Sequence, residues 1–122
     1  MILNDLLKIL NDDVELKGLI SGVYAFGTNK LNSLAYEYAE LTSNKIITQA
    51  RFTLTIITAN RDYHKNIQIH KRVKQLLLTL ADEKLNNDII EVALNGGGIL
   101  ENEESNTIHN KAIFIIKYYE RK

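Results

Sequence analysis

Apolar residues recur along this chain with two different periods, and the switches between them mark its elements. At the start, Ile2, Leu3, Leu6, Leu7, Ile9 and Leu10 follow an i, i+3/i+4, i+7 stripe, which predicts an amphipathic helix. Asn11-Asp12-Asp13 then offers a turn and a fresh N-cap. Val14, Leu16, Leu19 and Ile20 suit a second short helix ending near Gly22. Residues 23–26 form a short apolar run cut off by Gly27, read as a strand or an extended segment. Residues 28–33 are polar apart from Leu31. Residues 34–39 read as a strand, with a helical turn as the alternative, and residues 42–45 as the turn that follows.

From Ile46 the period becomes two. Ile46, Thr48, Ala50, Phe52, Leu54 and Ile56 share one face, and Gln49, Arg51, Thr53 and Thr55 lie on the other, the pattern of a half-buried antiparallel strand. Asn60 or Asp62 is the expected cap of the main helix over residues 62–81. Its stripe is Ile69, Val73, Leu76, Leu77 and Leu80, widened by Tyr63, Ile67 and His70. After Asn86-Asn87-Asp88, residues 89–94 read as a strand. The triplet Gly96-Gly97-Gly98 follows, then an acidic stretch to Ser105 and a last strand over residues 107–119. In that strand Ile108, Ala112, Phe114, Ile116 and Tyr118 share one face, while Ile113 and Ile115 make the opposite face apolar too. A strand apolar on both sides needs cover on both. One helix layer supplies one cover, and the N-terminal helix or a neighbouring subunit is expected to supply the other. The fold class read from this order is α+β: a mainly antiparallel sheet carrying one long amphipathic helix and an N-terminal helix, as a single domain over residues 1–122.

Composition narrows the function. Fifteen basic and fifteen acidic side chains cancel, which argues against a protein whose main work is holding nucleic acid. The chain has no cysteine, so disulfides and thiolate metal sites are excluded, and no proline, so its turns rest on Gly, Asn and Asp. The first residues lack the pattern of a signal peptide, and no apolar run approaches the roughly 20 residues of a membrane span. A cytosolic protein, or one built in the cytosol into a larger assembly, is expected.

The candidate chemistry is thin. The glycine triplet lacks the following Lys-Ser/Thr of a phosphate loop and reads as a flexible hairpin tip or bulge. His64 and His70 are six apart and do not share a helix face as an i, i+4 metal pair does; His70 reads as a boundary residue. Glu101, Glu103 and Glu104 with Asn106 make an acidic loop without an EF-hand pattern. Arg61, Lys65, Lys71, Arg72 and Lys74 read as the wet side of the main helix. No Ser, Thr or Lys stands beside a recognisable base. No catalytic, cofactor-binding or metal-ligating residue is nominated, and a non-enzymatic protein that works through its surfaces is expected.

The layout resembles the tail terminator, or tail completion, proteins of long-tailed phages and phage-tail-like particles. The resemblance is carried by Ile2-Leu3-Asn4-Asp5-Leu6-Leu7-Lys8-Ile9-Leu10, by Leu19-Ile20-Ser21-Gly22-Val23-Tyr24 and by Arg51-Phe52-Thr53-Leu54-Thr55-Ile56 running into the single helix. It closes with the glycine-containing hairpin and a last strand ending in tyrosines. The loop between Gly27 and Leu34 departs from the pattern in having no proline.

The resemblance implies a structural particle protein that forms a hexameric ring on the tail tube, ends its polymerisation and offers a docking surface to the head or the sheath end. It implies as partners further copies of the chain, the tail tube protein, and sheath or head-tail connector proteins, with DNA only passing through the ring. It places the protein in a virion or tail-like particle, such as a prophage particle or bacteriocin, assembled in the bacterial cytoplasm. The expected interface residues are Ile113 and Ile115, Lys71 and Lys74 on the helix, and Glu101, Glu103, Glu104 and Asn106 in the loop. The competing readings are a neck, connector or tube-like subunit and, in a different class, a small dimeric ligand-binding α+β domain.

Overall fold

Three outer strands flank a central pair whose side chains decide the architecture. In a computed structural model the described residues are 2–28, 30–44, 46–80 and 89–119. Helices α1 (Ile2–Asp12) and α2 (Val14–Lys17) come first, followed by strands β1 (Gly22–Ala25), β2 (Ser33–Ser43) and β3 (Ile47–Ala59). A 3-10 turn, Asn60–Asp62, leads into α3 (Tyr63–Leu78), and β4 (Ile89–Asn102) and β5 (Thr107–Tyr119) complete the chain. The five strands form one sheet in the order β1-β2-β3-β5-β4. Every pairing is antiparallel except β1 with β2. The α+β reading therefore holds.

The central pair β3 and β5 is in register from Ile47–Tyr119 to Ala59–Thr107. Alternation puts Ala50, Phe52, Leu54 and Ile56 beside Ile108, Ala112, Phe114, Ile116 and Tyr118 on one face, where all are buried. Phe52 and Phe114 pair directly at its centre. The buried stripe of α3 (Ile69, Val73, Leu77) and Leu80 lies on this face, and so does the buried stripe of α1 (Ile2, Leu6, Leu10). The three helices of the described residues are thus committed to one side. Of the two covers expected for the opposite face, the N-terminal helix or a neighbouring subunit, the first is corrected: the helix's stripe joins Leu34, Ala50 and the α3 residues in a single core.

Arg72 fixes the helices to one another. Its Nη2 and Nε donate to the two carboxylate oxygens of Asp13 at 2.7 and 3.0 Å, and Nε lies 2.8 Å from Glu15. Asp13 also accepts the backbone N–H of Leu16 at 3.0 Å as the N-cap of α2. Asn66 pins the first turn of α3 to the sheet, its amide donating to Thr58 Oγ1 at 3.0 Å and to the Ile56 carbonyl at 3.3 Å.

Four local expectations change. The second helix ends at Lys17, not near Gly22, with Gly18 as its C-cap, and the Leu19 and Ile20 N–H groups both close onto the Leu16 carbonyl at 2.9 Å. No side chain caps α3: Asp62 sits at φ −98°, ψ 35°, away from the extended geometry a capping side chain needs, and the 3-10 turn leads in instead. Strand β2 runs on through residues 42 and 43, and Asn44 makes the turn by accepting the N–H groups of Ile46 and Ile47, both at 2.7 Å. The fourth is a choice narrowed: of the hairpin tip and the bulge that the sequence left open, the glycine triplet is a bulge inside β4, with Asn95 and Gly96 left over between the Leu94–Phe114 and Gly97–Ala112 pairs. The tip is made by Asn102, whose Oδ1 accepts from Glu104 and Ser105, and by Asn106 at φ 53°. The expected turn at residues 86–88 lies outside the described residues, as does the end of the predicted main helix at Ala81.

Gly97 has φ +148°, and a Cβ there would fall onto the carbonyl oxygen of Lys111, whereas one at Gly98 would meet open space. Gly97→Ala is therefore expected to lower unfolding stability by about 1–3 kcal/mol, and more than Gly98→Ala, in denaturant titrations.

The Asp13 carboxyl is held below its ordinary range chiefly by the Arg72 hydrogen bond, against the raising effect of burial, with help from the Leu16 N–H. Its contribution is present above the ordinary carboxylate pKa and is lost as pH falls through the lower folded value. Asp13→Ala is expected to cost about 1–3 kcal/mol at neutral pH. The mutant should also lose less stability than the wild type on acidification into that range.

Candidate functional site

The face left bare by the helices is the surface on which the rest turns. Two rows of residues cross it in register. Ala35, Thr55, Lys111 and Gly98 make one, and Ser33, Ile57, His109 and Leu100 make the next. Ala35, Thr55 and Gly98 leave room in the first row, and all three line the space above it. At one side the chain rises at Phe26 and turns at Gly27 (φ +104°); at the other, the bulge at the glycine triplet carries residues 97–100 up as a second wall. Between them lies an open trough of about 570 Å³. Ala35, Thr55 and Ile57 are buried at its floor although no helix covers them. Its rims carry Phe26, 64% exposed, and Leu100, 71% exposed.

Ile113 lines the trough, and apolar surface continues beyond it at Ile115. Ile113 stands opposite Thr53, and Ile115 stands between Arg51 and Ala93; both isoleucines are half-buried. Charge is sparse and mixed: Glu37, Arg51, Lys111 and a Lys117–Glu91 pair at 4.0 Å. The chemistry available is that of apolar contact with a few polar groups (His109, Lys111, Thr28) around it. Among the described residues no three His, Asp or Glu side chains come together as a metal site, and no helix is long and apolar enough to cross a membrane.

The nominated residues fall on three separate surfaces. Ile113 and Ile115 lie on the bare face. Lys71, exposed, and Lys74, half-buried, lie on α3 on the other side of the sheet. Glu101, Glu103, Glu104 and Asn106 lie at the β4–β5 tip, which reaches the start of α3 through an Asn60 N–H to Asn106 carbonyl bond of 2.8 Å. The structure does not bring these groups together within one copy. His70 is the half-buried boundary residue expected, and burial chiefly, with Lys74 second, holds its imidazole below the ordinary value. Phe26 and Leu100 were not singled out in the sequence. Their signal was a large apolar residue within two positions of a glycine, at the boundary between an apolar and a polar stretch.

No family profile matches the chain, and no curated protein matches it in sequence. Among solved structures, a chain from the virion of a native gene transfer agent (GTA) particle superposes with a TM-score of 0.70 at 17% identity. The match covers 94% of this chain and 92% of the other. At that identity the likeness establishes the fold, and the shared layout takes in the whole sheet and its helical layer.

Phe26→Ser and Leu100→Ser should each leave unfolding stability within about 0.5 kcal/mol, as expected for exposed positions. Together they should sharply reduce binding of an apolar-surface dye to the native protein. Undiminished dye fluorescence would place the accessible apolar surface elsewhere.

Proposed function

We propose that this chain is a structural subunit of a phage-tail-like particle, assembling as a ring that caps the tail tube, ends its polymerisation and docks the head or the sheath end. The single observation that carries the proposal is the bare apolar face. A sheet with every described helix on one side leaves Ile113, Ile115, Phe26 and Leu100 to be covered by another chain. A virion chain with the same fold over nearly its full length supports that setting. The resemblance noted in the sequence supports the finer role, with six copies as the expected ring.

A terminator needs a surface that matches the growing tube end and no copy of it on the far side, so that an open-ended heterologous assembly stops. The two sides of this sheet meet that requirement. One is apolar and troughed; the other is a helical layer whose wet side carries Lys71 and Lys74. A balanced net charge suits a ring through which DNA passes without being held. The trough is also what the small-ligand reading would need, and that reading requires a stable dimer that never closes into a ring.

Incubated with short tail tubes, the purified chain is expected to appear in negative stain as a single ring on tube ends. Ile115→Asp should remain folded by circular dichroism and fail to form the ring. Unlimited tubes from the chain alone would make it a tube subunit, and unchanged ring formation by Ile115→Asp would remove the bare face from the interface.

A further inference from the structure

Strand β4 is an outer strand of the sheet along its whole length, and its far edge has no strand beside it among the described residues. Proteins usually blunt such an edge with lysine, proline, a bulge or very short length. Here the only one of these is the bulge at the glycine triplet: β4 has 14 residues, with no Lys, Arg or Pro. Residues 92–100 carry no charge at all, and Glu91 and Glu101 bracket them. The edge thus offers unpaired backbone groups along an uncharged run with a carboxylate at each end.

The inner edge of the same strand shows what it pairs with. On β5 it faces an apolar run between two lysines, Lys111 to Lys117: Lys117 stands opposite Glu91 with its Nζ 4.0 Å away, while Lys111 stands opposite Gly98 and Glu101 faces Ile108. A second copy of the chain fits the outer edge poorly. The other sheet edge is left open beyond the four residues that β1 pairs, and it carries Glu37 and Glu40. An antiparallel β4–β4 pair centred on Gly96 sets Glu91 against Glu101 twice. Like charges opposed across strands disfavour both.

We propose that the outer edge of β4 is a strand-addition site for an extended apolar segment flanked by lysine or arginine and supplied by a different protein of the particle. This rests on the particle-subunit reading for the source of the partner, and on the edge itself for its chemistry. Main-chain hydrogen bonds supply the pairing, and the terminal glutamates select the partner. Because those glutamates are exposed, the selection is salt-sensitive.

The test uses the full-length chain and a dye-labelled peptide of alternating threonine and valine with two lysines at each end, read by fluorescence anisotropy at low salt. The wild type is expected to bind it at least about tenfold more tightly than the same peptide ended in glutamates. The double variant Glu91→Lys, Glu101→Lys should invert that preference, and N-methylation of alternate peptide amides should abolish binding. Equal affinity for both peptides, no binding, or binding that survives N-methylation overturns the site. So does a dimer that Asn95→Lys converts to monomer while no peptide binds, which would assign the edge to a second copy. Rings on tube ends from a chain that ignores the peptide overturn the edge site alone. Charge-selective peptide binding by a chain that never forms rings supports the edge and overturns the ring.

Discussion

Strand β5 lies near the middle of the sheet with apolar side chains on both faces, and every helix of the described chain packs against only one of them. Ala112, Phe114 and Ile116 share the core with α1 and α3, whereas Ile113 and Ile115 on the same strand lie outside it. A buried sheet face is stabilised by roughly 25 cal/mol for each square ångström of apolar surface removed from water. The helical side gains that within the chain. The bare side gains it only from a partner, and this imbalance links the fold to a working surface.

The imbalance is held in place by polar detail. Arg72 ties α2 to α3 through Asp13 and Glu15, and Asn66 pins α3 to β3. These contacts keep the three helices in one layer, where an N-terminal helix free to swing could shield either face. Tyr38 and Tyr118, whose hydroxyls lie 2.7 Å apart across β3, add a further tie on the helical side. On the bare side the trough is shaped by backbone conformations: Gly27 turns one wall, and the bulge at the glycine triplet raises the other.

Much of this was legible in the sequence, because period is a local property. The two-residue alternation of β3 and β5 and the helical stripes of α1 and α3 named most of the core directly. The double apolarity at Ile113 and Ile115 announced a face in need of cover. What period does not encode is which side a helix docks on, so α1 was free to be placed on either. The glycine triplet could be a tip or a bulge until its pairing with Lys111 and Ala112 was known, since both use positive φ. The trough was hidden for the same reason: Phe26 and residues 97–100 are far apart in sequence and meet only across the width of the sheet.

The absence of cysteine allows the central claim to be tested with a single introduced thiol. Leu100→Cys places it on the bare face and Val14→Cys on the exposed part of the helical layer, where Val14 is 82% exposed. Maleimide labelling rates would be compared for the free chain and for the assembled particle. If the bare face is the buried interface, Leu100→Cys labels readily in the free chain and becomes strongly protected on assembly, in either case relative to Val14→Cys. Equal labelling of Leu100→Cys before and after assembly would contradict the account.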